Sequence, residues 1–307
     1  MEGYLERDGH RTWYRVVGEL DPGAERAPAV ICHGGPGATH DYVEPIAQLE
    51  RLGHACVLYD QLGNGRSDHL RDVDASFWTT QLFKDELAAL VEHLGIQERY
   101  HVVGQSWGGM LAMDHALDHP PGLVSVVAAD SPADADAFAR GAVGLLDTLA
   151  PQTKATILRH EEAGTTEDPE YGEAVLEFYK RYVCRLDPWP DELVRSFAAI
   201  EEDPTVYGTM NGPSEFTVIG PLREFDLTPR LGEFDVPLLL VSGEHDEVRP
   251  EVVRDVYERV PGARWELFEG CSHTPHLEQP ERFLQVVSEF LAGAESGRRP
   301  RGAHAGA

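Results

Sequence analysis

Six short apolar runs, rich in β-branched residues, recur along this chain: APAVICH (27–33), HACVLYD (54–60), YHVVGQS (100–106), LVSVVAAD (123–130), VPLLLVSG (236–243) and ARWELFEG (263–270). Runs without polar alternation suit parallel strands covered on both faces. The covers are legible too. SFWTTQLFKDELAALVEHLG, WGGMLAMDHALDHP, PEVVRDVYERV and PERFLQVVSEFLAG all carry helical periodicity. Strands alternating with helices restrict the chain to an α/β fold with a mostly parallel sheet. RTWYRVVG (11–18) alternates instead and reads as an early antiparallel strand.

Between residues 131 and 230 the alternation stops. DAFARGAVGLLDTLA, PEYGEAVLEFYKRYV and PDELVRSFAAIEE are helical patterns, and strand signals are few. This predicts a helical cap, residues 131–230, inserted into a core built from residues 1–130 and 231–293. Residues 294–307, ending in SGRRPRGAHAGA, predict a disordered tail.

Charge narrows the partners. The 307 residues hold 26 Lys+Arg against 53 Asp+Glu, a formal charge of −27. Such a surface repels nucleic acid and anionic membranes. It suits a solvated exterior and could also draw cationic substrates. Cys32, Cys56, Cys184 and Cys271 form no CxxC pair and suggest neither a metal site nor a disulfide framework. MEGYLERDGH has charges where a signal peptide needs an apolar core, and no apolar run reaches membrane-spanning length. The expectation is a cytoplasmic protein. Nothing resembles a coiled coil, so a monomer is the default.

The stretch that carries chemistry is HVVGQSWGGM (101–110). Gly104-Gln105-Ser106-Trp107-Gly108 fits G-x-S-x-G between a strand and a helix, a sharp turn that exposes a serine hydroxyl. Glycines two residues either side avoid collisions in that turn. The helix that follows aims its N-terminal N–H groups at the site. A serine hydroxyl needs a base to take its proton, and the base needs a carboxylate to orient it, in chain order Ser, Asp, His. VSGEHDEVRP offers Asp246, with Glu244 and Glu247 as rivals. FEGCSHTPHLEQP offers His273, with His276 as rival, and His245 also lies nearby. We favour Asp246 and His273. Both loops follow strand C-terminal ends, where ligand sites of open α/β sheets collect. His33-Gly34-Gly35-Pro36-Gly37 follows an apolar strand, and its glycines let backbone N–H groups face a reacting carbonyl. The expected oxyanion donors are the N–H groups of Gly35 and Trp107.

HGGPG, then YDQLGNGRSD, then GQSWGG resembles the proline iminopeptidase family of α/β hydrolases. MNGPSEFTVIG (210–220), PEYGEAVLEFYKRYVCR and VSGEHDEVRP are similar to the branch that holds tricorn-interacting aminopeptidases and L-amino-acid amidases. The likeness covers roughly residues 10 to 292. It implies the α/β-hydrolase fold and removal of an N-terminal aminoacyl group, often proline, from a peptide, amide or arylamide. It also implies that acidic residues recognise the free α-amine. On this chain those are Glu215 in NGPSEF and Glu247 beside Asp246. An ammonium entering a partly dry pocket needs paired carboxylates. Asp60, Gln61, Gly63, Gly65 and Ser67 match the family pattern as structural support near the site.

The expected partner is therefore a small peptide or aminoacyl amide with a free N-terminus, and no metal or organic cofactor is needed. A carboxylesterase with the same triad, an amidase trimming a small metabolite and a non-catalytic binding protein of the same fold are the alternatives. Phe178, Tyr179, Tyr182, Trp189, Tyr207 and Phe216 could line a pocket, although their helical spacing also suits the interior of the cap.

Overall fold

The computed structural model describes residues 1–297. Eight strands form one sheet. They are β1 (Glu2–Arg7), β2 (His10–Val17), β3 (Ala29–Cys32), β4 (Cys56–Tyr59), β5 (Tyr100–Gln105), β6 (Leu123–Ala129), β7 (Leu238–Gly243) and β8 (Arg264–Phe268). Their order is β1-β2-β4-β3-β5-β6-β7-β8. β2 runs antiparallel to both neighbours, and all other pairs are parallel. From β3 the chain steps outward to β4, then crosses back to β5 and proceeds the other way. The switch point lies between β3 and β5, whose following segments leave on opposite faces of the sheet and open a crevice at the strand ends.

Strand side chains alternate between two cores. Val30, Val102 and Val126 face Phe83, Leu87 and Leu90 of α1 (Thr80–His93) and Met110 and Met113 of α2 (Trp107–Ala116). Ile31, Val103 and Val127 face the opposite layer. That layer holds Val43, Ile46 and Leu49 of a 3-10 segment (His40–Leu52) with Phe283, Val287 and Phe290 near the C-terminus. Each fully buried Leu or Phe contributes about 1.5–3 kcal/mol. The central strands are covered on both faces, which is why they read as unbroken apolar runs. ARWELFEG departs from that expectation. β8 is the sheet edge, and four of its five residues keep some exposure.

Five helices fill the interval between β6 and β7. These are α3 (Ala135–Leu145), α4 (Pro151–Ala163), α5 (Pro169–Tyr182), α6 (Asp191–Glu202) and α7 (Thr205–Met210). Ala142, Leu146, Ile157, Tyr171, Phe178 and Phe216 give them a small core of their own. After β7 come α8 (Pro250–Arg259), the single turn α9 (Pro275–Glu278) and α10 (Pro280–Glu295). α10 carries helix through Glu295, so a tail beginning at 294 is corrected there: Glu295 is pinned by the Ala27 N–H, Arg26 and Arg99. Residues 298–307 of the expected tail lie outside the described residues. Among the described residues no helix is long and apolar enough to cross a membrane.

Candidate active site

The turn from β5 into α2 is tight enough to dictate its residues. Ser106 adopts φ 56° and ψ −124°, a backbone region costly for any residue but glycine. A Cβ on Gly104 would lie 2.0 Å from the Gly108 carbonyl oxygen, and one on Gly108 would lie 2.1 Å from that of Cys32. Both positions therefore exclude side chains. The strained turn is held by Ser106 N–H donating to Ala129 O at 2.8 Å and by Ser131 Oγ donating to Ser106 O at 2.8 Å.

Two further loops deliver the partners. His273 Nδ1 lies 2.7 Å from Asp246 Oδ1, which also accepts the Val248 N–H at 2.9 Å. Both side chains are buried, and Nε2 is left for proton transfer. Among the described residues the Ser106 hydroxyl makes no hydrogen bond, a looseness common in unliganded sites of this kind. Burial alone would push the His273 imidazole down, but Asp246, Glu247 and Glu215 outweigh it and raise it to about 9.

The rivals sit elsewhere. Glu244 is spent on the Gly270 N–H at 2.9 Å, and His245 is partly exposed beside it. His276 donates from Nε2 to Tyr42 O at 3.0 Å, and burial pushes it down to about 3. Glu247 lies on the other side of the imidazole, with Oε1 3.7 Å from His273 Nε2 and a buried Oε2 that has no hydrogen-bond partner among the described residues.

The glycine loop after β3 reaches the same point. Gly35 (φ 110°) lines one cavity with Ser106, Trp107 and Glu215. Its position is set by stitches to neighbouring loops. The Gly34 N–H donates to Tyr42 Oη at 2.7 Å, Tyr42 donates to Gln105 Oε1 at 2.5 Å, and Gln105 Nε2 donates to His273 O at 2.7 Å. One chain of hydrogen bonds thus joins three loops. Gln61 makes a second link: its Nε2 donates to His33 O at 2.9 Å, and its Oε1 accepts Trp107 Nε1–H at 2.8 Å. The Gln61 N–H donates to His33 Nε2 at 3.0 Å, so His33 is a neutral ring, and burial pushes it down to about 4. Asp60 accepts the backbone N–H of His40 and of Arg66, which shapes the loop that carries Gln61.

Above the serine, Tyr207 donates to Glu215 Oε1 at 2.5 Å. Apart from Asn211, the remaining walls of the cavity are apolar, chiefly Met110, Pro132, Phe138, Val218, Leu222 and Val248. Its volume is about 30 Å³, room for about two water molecules. Burial raises Glu215, and burial together with Glu215 raises Glu247 well above the usual carboxylate range. Each carboxylate ionises only against a cation, and the His273 imidazolium is the one that favours the charged form of both. None of the six aromatics that could have lined a pocket lies in this cavity's walls, in keeping with helical spacing that suits an interior place. Phe178 and Phe216 pack in the core of the helical layer, and Tyr207 acts through its hydroxyl on Glu215. The helical layer also touches the loops of Glu247 and His273 through its backbone: Tyr182 O, at the end of α5, accepts the Glu247 N–H at 3.3 Å and the His273 N–H at 3.1 Å.

Several contributors escape sequence reasoning. Tyr42 belongs to no motif, Tyr207 stands out only as an aromatic, and Gln105 sits inside GQSWGG without any sign of its relay. Asp130 closes the apolar run LVSVVAAD, takes φ 54°, accepts the Gly243 N–H at 3.1 Å and lies within hydrogen-bonding reach of Asp246. Burial and Asp246 raise it well above the carboxylate range, so it is a neutral acid behind the triad. An aspartate ending a buried strand was the one available signal.

Comparison with known proteins adds to this geometry. Residues 28–280 match the family model described as the alpha/beta hydrolase fold. A proline iminopeptidase of Lactobacillus helveticus (strain DPC 4571) is 33% identical over 295 residues, covering 95% of this chain and 97% of that protein. A proline iminopeptidase of Clostridium botulinum is 34% identical over 294 residues, covering 94% of this chain and 97% of that protein. Among solved structures, VinJ is 45% identical with a TM-score of 0.93, covering 96% of this chain and 99% of the other. Proline iminopeptidase from Mycobacterium smegmatis is 43% identical with a TM-score of 0.89, covering 97% and 99%.

Proposed function

We propose a function from one premise: this chain belongs to the proline iminopeptidase family of α/β hydrolases. It is a serine aminopeptidase that removes an N-terminal prolyl residue, or another small apolar aminoacyl residue, from a peptide or amide through an acyl-enzyme. The observation that carries this reading is a pair of carboxylates, half-buried Glu215 and buried Glu247, beside Ser106, His273 and Asp246. Two acids facing one pocket with only the His273 imidazolium against them are a costly arrangement unless a ligand supplies a further positive charge. A prolyl ammonium has two N–H donors, one for each carboxylate.

The substrate amine binds Glu215 and Glu247, and its side chain lies against Met110, Phe138, Val218 and Leu222. This brings the aminoacyl carbonyl over Ser106. His273 takes the serine proton as Oγ attacks, and Asp246 holds the tautomer and stabilises the imidazolium. The N–H groups of Gly35 and Trp107 take the oxyanion, each worth roughly 2.7–4 kcal/mol in the transition state. His273 then protonates the leaving amine, and water attacks the acyl-enzyme by the same route in reverse. Four buried, unpaired cysteines suit work in the reducing cytoplasm.

The test is a panel of aminoacyl arylamides carrying proline, alanine, leucine or phenylalanine, their N-acetylated twins and a simple acyl ester. Free-amine arylamides are cleaved, acetylated ones are not, and Ser106→Ala abolishes turnover. Glu215→Gln lowers kcat/KM for free-amine substrates by roughly tenfold or more, since a charge-assisted hydrogen bond is worth about 1.5–3 kcal/mol. Turnover of the ester alone would move the protein to an esterase.

A further inference from the structure

Glu247 stands in an unusual place for a residue whose task is only to hold an amine. Its Oε1 is 3.7 Å from Nε2 of His273, the nitrogen that must receive the serine proton, and its Oε2 is buried without a partner. We infer that Glu247 is a specificity switch on the base: it keeps a proton lodged at His273 Nε2 until a substrate ammonium takes its place.

The groups around the imidazole support this. Asp246 and Glu247 face it from the loop after β7 and Glu215 from the segment after α7, while Asp130, at the end of β6, lies behind Asp246 as a neutral acid. Of the other titratable neighbours, His276 on α9 is neutral, and so are the phenols of Tyr179 and Tyr207. The balance around Nε2 is therefore anionic, and with the imidazole raised to about 9 only about one molecule in a hundred has a free base at neutral pH. Deepening the aminopeptidase reading, on which it rests, the step is a cation exchange. The ammonium enters between Glu215 and Glu247, the imidazolium loses its counter-charge, and its proton passes to water. The net charge of the pocket is unchanged, and the lone pair of Nε2 now faces Ser106. A substrate without an amine leaves the proton in place. Discrimination is thereby exerted on the chemical step as well as on binding.

Methanesulfonyl fluoride tests this, because it is small and neutral and reacts with Ser106 only when the base is free. For the wild-type enzyme its inactivation rate rises with pH to a midpoint above 8, well above the ordinary imidazole value of about 6.5. Glu247→Gln moves the midpoint to lower pH and makes the protein react about tenfold faster at pH 7, the effect of a shift of about one pH unit. The same variant loses turnover of free-amine arylamides. A variant that folds poorly would lose both, so the opposite signs separate the switch from damage. A wild-type midpoint near the ordinary imidazole value overturns the proposal without reference to any variant. So does a Glu247→Gln protein that reacts no faster at pH 7. If free-amine arylamides are not cleaved but the sulfonyl fluoride profile shifts as stated, the substrate assignment fails and the coupling of Glu247 to the base stands. If arylamides are cleaved and the profile does not shift, the reverse holds.

Discussion

Tyr42→Phe removes a single oxygen and interrupts the chain of hydrogen bonds that joins the glycine loop, the serine turn and the histidine loop. The ring stays, so packing against His276 is kept. The hydroxyl accepts from the Gly34 N–H at 2.7 Å and donates to Gln105 Oε1 at 2.5 Å, and all three groups are buried. Its loss orphans one donor and one acceptor. Each orphan costs about 1–3 kcal/mol, and partial relaxation of the loop brings the sum to about 2–4 kcal/mol. For a domain of this size that is a fall of roughly 4–8 °C in Tm. The catalytic cost is separate. Gly34 precedes Gly35, the proposed oxyanion donor, and Gln105 fixes the backbone of His273 through a 2.7 Å bond. Misplacement on the order of 1 Å costs up to about a hundredfold in rate, so kcat/KM falls tenfold or more while KM for the amine changes little. Urea melts give the first quantity and steady-state kinetics on prolyl arylamide the second. A variant that loses less than about 0.5 kcal/mol and keeps full kcat/KM would refute the reasoning, because it would mean that the hydroxyl spans nothing of consequence.

Two further outcomes follow from features remote from the amine. Gly104→Ala places a methyl against the Gly108 carbonyl, a contact of 2.0 Å with backbone that cannot yield, so the variant is inactive and destabilised by about 3 kcal/mol or more by urea melt. Burial would raise Glu295, but His101, the Ala27 N–H and Arg26 hold it down at about 2 in the folded chain. Because the folded value lies below the unfolded one, this contribution is fully present above about pH 4.5 and is lost as pH falls towards 2. Glu295→Gln is therefore less stable than wild type at pH 7, and the gap closes in that window when thermal melts are compared.

Which parts were legible depended on what burial does to sequence. Central strands and the serine turn left plain signals, because covered strands exclude polar residues and the turn excludes side chains at 104 and 108. β1 left almost none: in EGYLER only Leu5 is buried, and an edge strand with five solvent-facing or half-buried residues reads as a charged terminus. β8 misled in the other direction, since Trp265 and Leu267 are apolar on a partly open edge. α4 (PQTKATILRHEEA) has too weak an apolar stripe to stand out. Yet its Glu161 accepts hydroxyls from Ser214, Thr217 and Tyr171 and so shapes the segment that carries Glu215. Relay residues such as Tyr42 and Gln105 act by joining loops that are far apart in sequence. No local pattern records such a partnership.

The Tyr182 carbonyl has a consequence for how this scaffold can change. It is a main-chain atom, so any amino acid at 182 would present it, and mutation of the side chain would not reveal it. What matters is that α5 ends at that height and direction. Substitutions on the cavity side of α3 can therefore remodel the walls, whereas a one-residue insertion or deletion within α5 would turn the carbonyl away from Glu247 and His273 together. Chimaeras that exchange helical layers between relatives should keep their splice point before Pro169 or carry α5 over at unaltered length. In this architecture length, more than residue identity, is the inherited constraint.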